Sequence, residues 1–229
     1  MGSRPDPDDE PMLVGDRVML DEQIAYYRAR AGEYDATSQP EGDPFAAHGA
    51  ATLSAIERLI HGGSLLEIAA GTGQFTGVLA ARADVLTATD ASPEMLERNA
   101  AKVGDPRVRY AVADAFALEP THAYDAVFFG FFLSHVPLSR FDAFWDVLDG
   151  QLRPSGLAVF VDEGRHGLWD EDWIDEDAGL VRRTLTDGSV HRAVKVLWEP
   201  DALERRLSEL GWRASVHAEG PFYWGTAAR

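Results

Sequence analysis

Leu65-Leu66-Glu67-Ile68-Ala69-Ala70-Gly71-Thr72-Gly73-Gln74-Phe75-Thr76 is the stretch that decides the fold. A short apolar run ends in a cluster of small residues, and from Gln74 to Arg82 a helical pattern follows. A buried strand passing through a glycine-rich turn into a helix is the opening unit of an open α/β sheet. Such sheets bind ligands at the carboxyl ends of their strands, where small residues let the backbone come close.

The pattern repeats outward. Val85 to Thr89 reads as a second strand, and Ser92-Pro93-Glu94 as a helix start running to Lys102, with Ser92 as N-cap and Pro93 at the first helical position. Val108 to Val112, Tyr124 to Gly130 and Leu157 to Val161 read as further strands, with a helix from Leu138 to Leu152. Because the strands are apolar throughout rather than at every second residue, a mostly parallel, doubly wound sheet with helices on both faces is expected.

Upstream, a short amphipathic helix is expected over Asp21 to Asp35, then breakers (Ser38, Pro40, Gly42, Pro44), then a helix from Phe45 to Ile60. Downstream, residues 170–177 hold six carboxylates in eight positions and read as a solvated loop. Val181 to Leu185 and Val190 to Val196 alternate around Thr186-Asp187-Gly188-Ser189 and predict a hairpin. A helix from Pro200 to Leu210 and strands at Trp212 to His217 and Phe222 to Thr226 complete the chain.

The length of 229 residues fits one large domain, and 45% hydrophobic residues supply a core. A net charge of −17 disfavours nucleic acid as a partner. Cysteine is absent, which removes disulfides, thiolate metal sites and cysteine nucleophiles. No apolar run approaches a membrane span, and the polar, acidic residues 1–10 are the reverse of a signal peptide. A cytoplasmic protein without a metal site is expected, residues 1–20 beginning it as a flexible acidic tail.

Asp90 stands at the end of the second strand, about 20 positions beyond the turn, where a carboxylate accepts hydrogen bonds from two ribose hydroxyls. Turn and acid together imply an adenosine-bearing cofactor. A dinucleotide fingerprint wants a third glycine or alanine where Thr76 stands. An NAD-dependent oxidoreductase nevertheless shares the glycine turn and Asp90, and a non-catalytic cofactor-binding partner subunit would share everything.

With Glu67 before the turn, Asp114 in Val112-Ala113-Asp114-Ala115-Phe116 after the third strand, and Tyr124 to Phe129 as the fourth, the sequence resembles the class I S-adenosylmethionine-dependent methyltransferases from about Asp21 to the end. The family's acid-x-Gly-x-Gly-x-Gly is matched by Glu67, Gly71 and Gly73, with Ala69 where the first glycine is usual. Arg153-Pro154-Ser155-Gly156 is similar to its LxPGG turn, with Ser155 for one glycine. The resemblance implies S-adenosylmethionine as cofactor. Glu67, Ala69, Gly71 and Gly73 would lie at its methionine and ribose part, Asp90 and Ala91 at the ribose hydroxyls, and Asp114, Ala115 and Phe116 at the adenine.

A narrower resemblance, to the phosphonate O-methyltransferases of natural-product biosynthesis, rests on Ala25 to Ala31, Glu33-Tyr34-Asp35, Phe132 to Pro137, Arg182 to Leu185 and Val194 to Val196. It implies a single methyltransferase domain over residues 21–229, with residues 21–44 as an N-terminal lid and 164–199 as a substrate-side loop and hairpin insertion. It also implies antibiotic-type chemistry on an oxygen of a small anionic metabolite, a phosphonate or carboxylate.

His135 follows the apolar run Val127 to Leu133 at the carboxyl end of the fourth strand. It is the candidate catalytic residue, as a base for an acceptor hydroxyl or as a donor to an anionic oxygen. Parity puts Arg183 and Lys195 on one hairpin face and Arg182 and Arg192 on another. Arg183 and Lys195 are candidates for binding the acceptor's anion. The resemblance, in which this segment is a lid over the methyl donor, makes Tyr27 a candidate beside the acceptor and Tyr34 a candidate beside the cofactor. Trp169, Trp173 and Trp198 could line the pocket or cover the core. The Asn/Asp-Pro-Pro-Tyr motif of many amino-group methylases is missing after the fourth strand, which favours an oxygen or small-amine acceptor.

Overall fold

The computed structural model describes residues 11–38, 45–165 and 171–229, with side chains in the first segment from residue 17 onward. Five parallel strands form the centre: β1 (Ser64–Ile68), β2 (Val85–Asp90), β3 (Val108–Val112), β4 (Tyr124–Gly130) and β5 (Leu152–Glu163). Three short antiparallel strands, β6 (Trp173–Asp175), β7 (Leu180–Thr184) and β8 (Val190–Val194), form a separate sheet. β9 (Arg213–Glu219) and β10 (Phe222–Ala228) return antiparallel to the main sheet, whose order is β3-β2-β1-β4-β5-β10-β9. The order reverses between β1 and β4, and that switch point is where an open α/β sheet offers a ligand crevice.

Alternation along each central strand explains why both faces are covered. Leu66, Ile68, Val127, Phe129, Ala158 and Phe160 pack against Phe141, Phe144, Trp145 and Leu148 of α6 (Phe141–Gln151) and against Leu203 and Leu207 of α7 (Pro200–Glu209). The intervening Leu65, Leu86, Phe128, Val159 and Val161 face Ile56 of α3 (Ala46–Leu59), Leu79 and Ala80 of α4 (Thr76–Arg82), and Leu96 of α5 (Pro93–Val103). Trp145, fully buried, sits edge-on to Phe129, Phe160 and Trp212. Ser92 caps α5, accepting from the Met95 N–H, and Gly104 closes it in the left-handed conformation.

Three expectations change. The first helix, α1, runs Pro11–Arg30, ten residues upstream of the expected start, so residues 11–20 are helical rather than tail. Met12, Leu13, Val14, Val18, Met19 and Leu20 carry apolar spacing in the sequence that the acidic residues 1–10 overshadow. A separate short helix, α2 (Tyr34–Ser38), follows. The acidic run also contains β6, and two of its carboxylates pair with hairpin arginines, Glu171 with Arg183 and Asp172 with Arg182. Residues 1–10, the breakers Pro40, Gly42 and Pro44, and Trp169 lie outside the described residues. Trp173 packs on the Tyr26 cluster, and Trp198 on Phe141, 4.8 Å between ring centroids.

α1 lies on the inner face of the small sheet. Tyr26 packs on Val181, Leu185 and Ala193. Gln23 donates to the His135 carbonyl at 3.1 Å and accepts from the Val194 N–H at 2.9 Å. Glu22 and Arg192 form an ion pair at the rim. Helix, hairpin and the end of β4 are therefore one packed unit at the carboxyl edge of the sheet.

Candidate active site

Two cavities open at that edge and share four lining side chains: Tyr27, Tyr34, Phe131 and His135. The first lies between the strand ends and α1. Ala69 and Gly71 of the turn, Asp90, Ala91 and Ser92 after β2, Ala113 to Phe116 after β3, and Gly130 to Phe132 after β4 form its floor. Leu20, Gln23 and Ile24 of α1 roof it.

The turn has a specific backbone. Gly71 has φ +53° and nothing within 4 Å of where a Cβ would stand, so its missing side chain leaves open space in the cavity. Gly73 has φ +87°, but its Cβ would lie 2.7 Å from the Asn99 Oδ1. Its smallness serves packing against α5, and it does not line the cavity. Ala69 also adopts φ +53°, a conformation costing an L-residue roughly 1–2 kcal/mol, in the place where glycine is usual. Phe131, at the junction of the cavities, has φ +53° as well. Left-handed bulky residues cluster at functional sites, where surrounding contacts hold them.

Asp90 is anchored from both oxygens: Oδ2 accepts from the Gly71 N–H at 2.9 Å and Oδ1 from the Ser92 N–H at 2.8 Å. Each oxygen keeps a further lone pair for the cavity. Burial raises its pKa, and the backbone donors oppose that shift. Asp114 accepts from the Phe116 N–H at 2.9 Å, which folds Ala115 and Phe116 around the cavity wall. Glu67 behaves differently from its expected place. It shares the face of Leu65, behind the turn, is 1% exposed and does not line the cavity. Burial pushes its pKa up to about 8, against a hydrogen bond from Thr76.

α2 closes on the turn through Asp35, which accepts from Thr72 Oγ1 and pairs with Lys102, while Arg28 donates to the Ala91 carbonyl.

At the junction, His135 is buried and committed at both ring nitrogens. Nδ1 lies 2.7 Å from the Val194 carbonyl and Nε2 2.8 Å from the Tyr27 hydroxyl. A carbonyl only accepts, so Nδ1 carries the proton and Nε2 accepts the Tyr27 O–H. Burial first, then the neighbouring Lys195 charge, holds the imidazole pKa well below 6.5. Burial raises the Tyr27 hydroxyl well above 10. The pair is therefore a neutral imidazole and a neutral phenol.

The second cavity holds Arg183, Lys195 and Arg30 with Glu171, Glu163 and Glu33. Arg183 and Lys195 project from the inner face of the small sheet, whereas Arg182 and Arg192, opposed across the hairpin, are exposed. Lys195 Nζ lies 2.6 Å from Glu163 and Arg183 bridges both Glu171 oxygens. Behind them Asp162, fully buried, accepts from the Ser134 and Glu163 N–H groups, and burial pushes its pKa up to about 6.

Gln23, Phe131, Glu163, Glu171 and Arg30 are the site residues that sequence reasoning passed over. Phe131 was hidden in an apolar run, and the others depend on contacts between distant segments.

A cavity over a glycine turn, with an anchored acid after β2 and a second after β3, has the layout expected of a class I S-adenosylmethionine-dependent methyltransferase. The comparisons agree. A methyltransferase domain model matches residues 65–156. The structure of DhpI with SAH is 38% identical, covering 92% of this chain and 96% of that one at a TM-score of 0.80. The DhpI complex with SAM and HEP is 39% identical over 92% and 98%, at 0.79. The phosphoethanolamine N-methyltransferase 1 of Haemonchus contortus, with phosphoethanolamine and S-adenosylhomocysteine, shares the fold at 16% identity and a TM-score of 0.63, over 92% of this chain and 49% of that one. Among curated protein sequences none matches.

The chain belongs to the S-adenosylmethionine-dependent methyltransferases and is similar to DhpI along nearly its whole length. S-adenosylmethionine is its cofactor, and the NAD-linked reading is not favoured. No described helix is long and apolar enough to cross a membrane.

Proposed function

We propose that the protein methylates an oxygen of a small anionic metabolite of phosphonate or carboxylate type, as a step of natural-product biosynthesis. The observation that carries this reading is the meeting of the two cavities at Tyr27, Tyr34, Phe131 and His135, with Arg183 and Lys195 in the second. The similarity to DhpI, known in complex with both SAM and HEP, supports a small acceptor beside the cofactor.

The cofactor, when bound, supplies a methyl group on a sulfonium, whose loss leaves a neutral thioether. In this reading Asp90 accepts from the ribose hydroxyls, Asp114 to Phe116 hold the adenine, and Ala69 and Gly71 give the backbone clearance. Glu67 and Gly73 act behind the turn, keeping its shape. Tyr34 and Gln23 shield the transfer point from water. Alignment of nucleophile and carbon then provides most of the catalysis.

His135 has no free nitrogen and little basicity, which favours an acceptor oxygen that is already ionised. It orients the Tyr27 O–H, and that hydroxyl can turn from Nε2 to donate to the acceptor oxygen. Incubation with S-adenosylmethionine and a panel of small phosphonates, carboxylates and phenols tests the reading. Homocysteine-coupled turnover with the first two classes supports it. Turnover confined to amines or phenols contradicts it, and donor binding with no turnover favours the non-catalytic partner.

A further inference from the structure

The glycine turn has a second face, directed away from the cavity, and one side chain supports it. Asn99 of α5 is fully buried and lines neither cavity. Its Nδ2 lies 2.8 Å from Thr76 Oγ1, 3.3 Å from the Gly71 carbonyl and 3.4 Å from the Ala70 carbonyl. Carbonyls only accept, so the nitrogen of the amide faces the turn. Oδ1 is left to accept from the Tyr110 hydroxyl of β3, at 3.0 Å, which fixes the plane of the amide.

The amide also fills the space that Gly73 leaves. A Cβ on Gly73 would stand 2.7 Å from Asn99 Oδ1 and 2.8 Å from its Cγ. Thr76, accepting from Asn99, has its own O–H for Glu67. Asn99 therefore meets the turn at its first carbonyls, at Gly73 and at the start of α4. Gly71 is held from both sides, its N–H by Asp90 and its carbonyl by Asn99. Glycine loses more conformational freedom on ordering than any other residue, so a ligand that needs Gly71 in one conformation binds better when the protein has already imposed it.

We propose that Asn99 is a positioning residue for the cofactor. It pins the Ala70 and Gly71 peptide units, and with them the Gly71–Asp90 hydrogen bond, before the ribose arrives, and it does so without touching the cofactor. This goes beyond the acceptor reading and does not depend on it.

Calorimetric titration of S-adenosylhomocysteine, read beside thermal unfolding of the apoprotein, tests the proposal. Asn99→Ala should raise the S-adenosylhomocysteine Kd by about fivefold to fiftyfold, because a turn that holds its binding geometry for only a fraction of the time weakens apparent affinity by that fraction. Leu207→Ala, a truncation of a fully buried side chain on α7 outside both cavities, should lower Tm at least as much and leave that Kd within twofold. Tyr110→Phe keeps the Asn99 donors but frees the amide plane, and should raise the Kd by about threefold to fivefold with little change in Tm. A Kd within twofold of wild type in folded Asn99→Ala overturns the assignment. So does an equal rise in Leu207→Ala, which would make the effect one of stability alone. Should Asn99→Ala fail to fold, Tyr110→Phe decides, and an unchanged Kd there overturns the assignment. Folded wild-type protein that does not bind S-adenosylhomocysteine contradicts the cofactor site itself, and this inference with it.

Discussion

Replacing Asp90 by asparagine separates the cofactor site from the rest of the fold. The carboxylate accepts from Gly71 N–H through one oxygen and Ser92 N–H through the other, so it ties the glycine turn to the start of α5. An amide is almost isosteric but turns one acceptor into a donor, which must then face an N–H or the ribose. A hydrogen bond to a charged group contributes about 1.5–3 kcal/mol, and every 1.4 kcal/mol is tenfold in affinity. The Kd for S-adenosylmethionine should therefore rise tenfold to a hundredfold. An orphaned N–H costs about 1–3 kcal/mol, offset in part because burial already disfavours the Asp90 charge. At about 2–4 °C per kcal/mol for a chain of this size, Tm should fall by several degrees without loss of the fold. Calorimetry with the donor and thermal unfolding of the apoprotein give the two numbers. A folded Asp90→Asn protein whose donor Kd is within twofold of wild type would refute the ribose assignment.

Tyr27→Phe should lower kcat tenfold to a hundredfold with an ionised acceptor, because it deletes the donor at the junction of the cavities, while S-adenosylhomocysteine affinity holds within threefold. Unchanged kcat removes Tyr27 from the reaction. Glu67 is protonated more readily in the folded protein than in the unfolded chain, from the ordinary 4.5 up to about 8. The folded state therefore binds more protons in that window, and Glu67 makes stability fall as pH rises through it. Glu67→Gln cannot ionise, so its stability relative to wild type should improve by on the order of 2–3 kcal/mol between pH 5.5 and 7.5 in urea unfolding. A gap independent of pH contradicts the buried, neutral acid. Ser155 is exposed and held at φ +67° in the turn before the second half of β5. Ser155→Gly should relieve roughly 1–2 kcal/mol of left-handed strain, against about 0.5–1 kcal/mol of added chain entropy. A small rise in Tm is expected, and a fall would show that the hydroxyl has a structural role.

The central sheet was legible because its signals are local. Apolar runs, the small residues of the turn and the Ser92-Pro93 cap each sit within a few positions of the structure they specify. The cavity lining was legible where it lies on those strand ends, at Ala69, Gly71, Asp90 and Asp114 to Phe116. It was less so for Glu67 and Gly73, because a motif records that a residue matters without recording which face it serves. Parity along the strand puts Glu67 behind the turn, and the crowding of Asn99 accounts for Gly73. The acidic run is mostly exposed, as its charge suggests, and what it did not reveal is the pair that Glu171 makes with Arg183. Likewise Glu22 meets Arg192 at 170 positions' separation. His135 was found by its place after β4, but its tautomer depends on Tyr27 and Val194, which only the tertiary fold brings to it.

A crystal structure with S-adenosylhomocysteine would show where the cofactor sits. Both ribose hydroxyls are expected on Asp90, the adenine between Asp114 and Phe116, and the sulfur facing the gap between Tyr27 and Phe131. A ligand seated in the cavity of Arg183 and Lys195 instead, or reaching the first cavity with its ribose away from Asp90, would contradict this placement.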